Sequence, residues 1–239
     1  MMPISAVGYE SDSLRDKAQE LADALHYSLD KEANPCLYLT AEKLTLKMPD
    51  YLPLSADFSA ATWSKRKSEG KKQGLVRACK PKRGLKIIDA TGGWGRDAAI
   101  LACFGASVLM LERNPVMASL LRDALLHSSA SDRKVMDLSL LEGDAISYLS
   151  ALAPAESPDV IYIDPMHPLR NKSALVKKDM QALQQIIGAD QDALELIECA
   201  IKHAAQRVVV KWPQKTKALL PPEASIEGKT VRFDIYSAR

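Results

Sequence analysis

The sequence predicts an α/β fold: a mostly parallel sheet that ends in a C-terminal antiparallel hairpin, preceded by a small N-terminal α/β subdomain. Three observations predict it. From Gly84 onward, short apolar runs alternate with stretches of helical periodicity, the pattern of strands joined by crossover helices. The last two apolar runs are joined only by Gly228, Lys229 and Thr230, a turn too short for anything but antiparallel pairing. The first stretch of chain carries a strand, a helix and a hairpin pattern of its own, and a block rich in lysine and arginine separates it from the rest.

Taken in order, residues 3–9 read as a short strand. Residues 12–29 read as a helix, with Leu14, Ala18, Leu21, Ala22 and Leu25 on one face. "CLYLTAEKLTLKM", Cys36 to Met48, reads as a hairpin, and the subdomain closes near Leu54. The expected boundaries are 1–56 for the subdomain, 57–83 for a basic connector and 84–239 for the main domain. Within the main domain the expected strands are 85–90, 106–112, 137–142, 159–163 and 207–211, followed by the hairpin strands 224–227 and 231–237.

Composition bounds what such a fold does. The chain has 239 residues, 47% of them hydrophobic, which is enough for a full core. No apolar run approaches the roughly 18 residues of a membrane span, and no basic segment leads into an apolar one at the amino terminus, so the expected location is the cytoplasm, with no membrane partner. Cys36, Cys79, Cys103 and Cys199 lack the paired spacing of zinc or redox motifs and read as reduced packing residues; no metal is expected. His26, His127 and His203 are spread over predicted helices and read as surface or core residues. Net charge is only +2, yet between Lys65 and Arg83 stand nine Lys or Arg and one acid, Glu69. Arg170, Lys172, Lys177 and Lys178 form a second cluster. Two basic patches beside one cleft are expected to hold a phosphate backbone.

Ligands of a parallel sheet lie beyond the carboxyl ends of its strands, where strand order reverses. The first main-domain strand runs into "IDATGGWGRDAA", in which Gly92, Gly93 and Gly95 permit a sharp turn and close approach of backbone to ligand. Gly93, Gly95 and Ala98 also fit the dinucleotide pattern of two glycines and an alanine. The second strand ends at Glu112, an acid placed to take both hydroxyls of a ribose, before Asn114 and Pro115 open a helix. These features suit a nicotinamide enzyme and an S-adenosylmethionine enzyme equally.

The stretch "YIDPMHPLRNKSALVKK" separates the two. An exocyclic amine conjugated to its ring attacks poorly until acceptors grip its N–H groups and aim it. Asp164 supplies one acceptor and a carbonyl near Pro165 the other, with the prolines fixing the turn. A hydride-transfer site has no particular need of them. Two alternatives remain at this level: a dinucleotide-dependent oxidoreductase, and a noncatalytic RNA-binding assembly factor.

"DATGGWGRDA", "MLERNP", "YIDPMHP", "KSALVKKDM", "RVVVKWP" and "RFDIY", spread from about Asp57 onward, resemble the bacterial small-subunit ribosomal RNA guanine-N2 methyltransferases of the RsmJ type. The resemblance implies a Rossmann-like class I methyltransferase sheet, S-adenosyl-L-methionine as cofactor, and 16S ribosomal RNA or the small ribosomal subunit as partner. It implies cofactor contacts by Arg96, Asp97, Glu112, Arg113, Asp144, Ala145 and Asp164, to which the glycine segment adds Asp89, Thr91, Gly92 and Gly93. Asp164, Pro165, Met166 and His167 are the candidate catalytic residues, with His167 or a nearby ring stacking on an extruded guanine. Arg66, Lys67, Arg170, Lys172, Lys177 and Lys178 are the candidate RNA contacts. The family usually carries Phe where His167 stands, and often small hydroxyl residues where Asp144 and Ala145 stand.

Overall fold

A computed structural model describes residues 4–59, 62–63, 70–167, 178–188 and 190–238. The chain forms two compact units that interleave in sequence. One comprises Met1–Asp57, Asn114–His127 and Met166–Ala189; the other comprises Phe58–Arg113, Ser128–Pro165 and Asp190–Arg239.

The first unit holds a four-stranded sheet. Strand β1 (Ala6–Tyr9) lies between β2 (Ser28–Leu29) and β3 (Cys36–Leu39), parallel to both, and β4 (Leu44–Lys47) pairs antiparallel with β3 as the predicted hairpin. The predicted helix at 12–29 is shorter than its periodicity suggests. A single 3-10 turn, Asp12–Leu14, leads into α1 (Arg15–Leu25), which stops because His26 takes the left-handed conformation at φ 57° and frees Ser28 and Leu29 to pair with β1. The same unit contains the helix Pro115–His127. As Asn114 and Pro115 predict, Asn114 Oδ1 accepts from the amides of Val116 at 3.0 Å and Met117 at 3.2 Å. The amide of Leu44 donates to Asp123 on that helix at 2.8 Å.

The second unit holds a seven-stranded sheet. Its strands are β5 (Lys86–Asp89), β6 (Ser107–Glu112), β7 (Asp137–Glu142), β8 (Val160–Ile163), β9 (Arg207–Pro213), β10 (Ala224–Glu227) and β11 (Val231–Ser237). Their order is β10-β11-β9-β8-β5-β6-β7, parallel from β9 to β7, while β11 runs antiparallel to both β9 and β10. The α/β class, the parallel sheet and the terminal hairpin are therefore as expected. β5 and β8 are short and apolar because they are central and covered on both faces. On one face, Ile88, Leu111, Ile161, Ile163, Val208 and Val210 meet Leu149 of the helix Ala145–Ala151 and Leu196, Ile197 and Ala200 of the helix Ala193–His203. The helix Arg96–Cys103 packs on β6.

The basic segment is more than a linker. Gly74–Cys79 is a helix whose Leu75, Val76, Ala78 and Cys79 are buried, and it lies against β10 and β11. It packs so closely that a Cβ on Gly74 would stand 2.6 Å from the Phe233 ring. Alanine is the better helix former in isolation, so the close contact reverses the expected sign. Gly74→Ala should destabilise the protein by about 1–3 kcal/mol through overpacking, and Phe233→Leu in the same chain should recover part of that loss. Urea denaturation of the four variants in a double-mutant cycle measures both effects.

Candidate active site

After β7 the chain returns to β8 on the other side of β5, so strand order reverses between β5 and β8. The Ala90 amide donates to the Tyr162 carbonyl at 2.9 Å and continues the pairing past the end of β5. Asp89 ends β5 and Asp164 follows β8. The two acids singled out by sequence therefore flank the switch point where ligands of such sheets bind.

Between β5 and the helix Arg96–Cys103 the chain makes a tight turn, with the Gly95 amide donating to the Gly92 carbonyl at 2.8 Å. Gly93 and Gly95 sit at φ 52° and 69°, a region costly for any residue with a Cβ. The Gly92 amide donates to Leu111 O at 2.9 Å, and the Gly93 amide donates to Glu112 Oε2 at 2.7 Å. The Glu112 side chain, only 5% exposed, thus fastens the turn to the end of β6.

A polar network lies next to this turn. Thr91 Oγ1 accepts the Asp164 amide at 2.7 Å, and the Thr91 amide donates to Asp89 Oδ1 at 3.1 Å. Lys211 Nζ on β9 donates to Asp164 Oδ2 at 2.7 Å and to Asp97 Oδ2 at 2.9 Å, while the buried Tyr162 hydroxyl donates to Asp97 Oδ2 at 2.5 Å. Burial, with Asp97, Asp164 and Glu112 as anionic neighbours, pushes the Asp89 carboxyl up to about 7 against the hydrogen bond from Thr91. Burial also raises Asp164, and Lys211 opposes that rise. The Lys211 ammonium is held charged by its two carboxylates in spite of burial.

At the rim, Arg113 reaches Asp192 at 2.5 Å and also Asp190, both on the segment that enters the helix Ala193–His203. Asp144 caps the helix Ala145–Ala151: its Oδ1 accepts from the amide and the hydroxyl of Ser147 at 2.8 Å each. Its Oδ2 stands 3.9 Å from Arg113. Ala145 is buried as the first residue of that helix.

The second unit thus brings together Asp89, Thr91, Gly92, Gly93, Arg96, Asp97, Glu112, Arg113, Asp144, Ala145, Asp164 and Pro165 at the carboxyl ends of adjacent strands or the helix starts that follow them. Met166 and His167 follow directly on the chain and fall within the other unit. Arg66, Lys67, Arg170, Lys172 and Lys177 lie outside the described residues, and Lys178 opens the helix Lys178–Ile187. The expectation that the whole 65–83 block flanks the cleft needs correction. Lys80, Lys82 and Arg83 are exposed but precede β5, at the amino ends of the parallel strands and a strand's length from Asp89. Sequence reasoning also passed over Lys211, Tyr162 and the Asp190–Asp192 pair. The signal for Lys211 was present, since a lysine inside "RVVVKWP" is out of keeping with an otherwise buried strand.

Comparison with known proteins agrees with the fold. Residues 20–238 match the family model described as "Putative SAM-dependent methyltransferase". The chain is 64% identical over 239 residues to a protein of Legionella pneumophila strain Philadelphia 1 named Ribosomal RNA small subunit methyltransferase J, covering all of this chain and 98% of that one. A protein of the same name from Nitrosococcus oceani is 41% identical, with 84% of this chain and 83% of that one covered. The crystal structure of a SAM-dependent methyltransferase from Neisseria gonorrhoeae superposes with TM-score 0.72 at 25% identity, covering 97% of this chain and 95% of that one. With the family model spanning nearly the whole chain, the protein belongs to this family of S-adenosylmethionine (SAM)-dependent methyltransferases.

Proposed function

We propose that this protein methylates the exocyclic N2 amine of a guanosine in 16S rRNA of the small ribosomal subunit, with S-adenosylmethionine as the methyl donor. The name carried by its relatives supplies the substrate class. The setting of Asp164 carries the amine assignment. Its amide is fixed on Thr91 and its Oδ2 on Lys211, and among the described residues Oδ1 has no such bond and is left for an incoming N–H donor. Pro165 fixes the turn beyond it, and the carbonyl beside it is the second acceptor for the amine.

The residues present fit the cofactor. Lys211 is shared by Asp97 and Asp164, and Asp89 has those two acids and Glu112 as anionic neighbours, an environment that favours a ligand bearing positive charge. A dinucleotide would place its pyrophosphate among these acids and would need the Gly93 amide, which is already donated to Glu112. That bond favours S-adenosylmethionine over the oxidoreductase reading. Glu112 would hold the ribose hydroxyls, and Asp144 and Ala145 would lie at the adenine. When bound, S-adenosylmethionine supplies an electrophilic methyl group. The protein's own part is to exclude water, orient the amine through Asp164 and hold the extruded base, with His167 as the stacking candidate. Arg66, Lys67, Arg170, Lys172, Lys177 and Lys178 complete the reading as phosphate contacts.

Three measurements test it. Glu112→Ala should weaken S-adenosylhomocysteine binding by about 1.5–3 kcal/mol in calorimetry, the scale of hydrogen bonds to a charged group; unchanged affinity in a folded variant removes Glu112 from the site. In single-turnover methylation with saturating cofactor, Asp164→Ala should be slower by about 100-fold or more. Asp164→Asn should fall between it and wild type, because one carbonyl acceptor survives, whereas full activity in Asp164→Ala would show the acid to be structural. Replacing Lys177 and Lys178 by Ala should weaken rRNA binding and flatten its dependence on salt, leaving cofactor affinity unchanged; an unaltered salt slope would make them a solvated face.

A further inference from the structure

Lys211 interrupts a strand in which Val208, Val209, Val210 and Trp212 are all buried. An aliphatic residue there would avoid the cost of desolvating an ammonium, and a buried ion pair is a poor way to add stability. Its position instead matches a task at the site. Val210 pairs with Ile163, so Lys211 stands level with Asp164 across the β8–β9 ladder, and its Nζ lies 2.7 Å from Asp164 Oδ2. The same ammonium holds Asp97 Oδ2 at 2.9 Å, on the first turn of the helix after the glycine turn. Asp97 in turn accepts the hydroxyl of Tyr162, two residues before Asp164.

We propose that Lys211 is a positioning residue of the methyl-transfer reaction: by holding Oδ2 of Asp164 it aims Oδ1 at the target amine and keeps the carboxylate anionic, in its hydrogen-bond-accepting form. The inference rests on the reading of Asp164 as the amine acceptor. Its electrostatic basis is the company Asp164 keeps. Asp89 at the end of β5, Asp97 on the following helix and Asp190 before the last helix are anionic neighbours, and the phenol of Tyr162 is buried beside them. Of these groups only Lys211 opposes protonation of Asp164 through both charge and a direct hydrogen bond. With Lys211 neutralised, a half-buried carboxyl among like charges retains its proton to higher pH. A protonated Asp164 keeps a carbonyl acceptor but is uncharged and carries a donor that competes for the amine's place.

The test is the pH dependence of the single-turnover rate at saturating S-adenosylmethionine on small-subunit rRNA. Ionised Asp164 is the more competent form, so a rise in its pKa moves the acidic limb upward. Lys211→Met should shift that limb upward by about one pH unit or more, costing about tenfold in rate on the sloping part of the limb and recovering as pH is raised. Asp97→Asn removes a like charge while leaving Lys211 on Asp164, and should move the limb the other way. Lys211→Arg, which restores the charge, should return it toward the wild-type position. These two variants also decide the matter if Lys211→Met does not fold. Unchanged limbs in Lys211→Met and Asp97→Asn, with Asp164→Ala inactive, would overturn the role of Lys211 and leave Asp164 as the acceptor. Full activity in Asp164→Ala would overturn the acceptor reading itself.

Discussion

One ammonium shared by two carboxylates ties the site together. Lys211 on β9, Asp164 beyond β8 and Asp97 at the start of a helix come from three separate parts of the chain, and Tyr162 adds a second bond to Asp97. The three charged side chains are half-buried, and pairing and hydrogen bonding offset the cost of removing them partly from water. The parallel ladder between β8 and β9 sets the pairing by bringing Lys211 level with Asp164. A shift of one residue in that ladder would turn the lysine to the opposite face of the sheet and strand both acids. Sheet register and site chemistry are therefore the same constraint.

The fold was largely legible in the sequence because its signals are local. Strand β7 and both hairpin strands, β10 and β11, have the bounds that apolar alternation and the short turn at Gly228 predict. The N-terminal helix was read too long because helical periodicity continues past Leu25, whereas the stop depends on one residue, His26, adopting a left-handed conformation. The interleaving of the two units was not legible, since it depends on contacts between segments far apart in the chain.

The site was legible where a motif announces it and silent where partners converge from a distance. Asp89, the glycine turn, Glu112 and Asp164 stand at strand ends and could be found from pattern alone. Lys211, Asp190 and Asp192 acquire meaning only through the residues they meet. Charge was misread for a related reason. Composition registers a basic block at 65–83, but not that Lys80, Lys82 and Arg83 emerge at the amino ends of the strands while the acids gather at the carboxyl ends.

The bond from the Gly93 amide to Glu112 has a kinetic side. A glycine turn that waited for its ligand to supply the missing acceptor would be slack when empty and would have to be ordered at each encounter. Here the protein provides the acceptor itself, so the turn is fastened before any ligand arrives and less conformational entropy is left to lose on binding. Carboxylates grouped beside that turn would hold a cationic sulfonium more firmly than the uncharged thioether that methyl transfer leaves. Loss of that charge would then favour exchange of the cofactor.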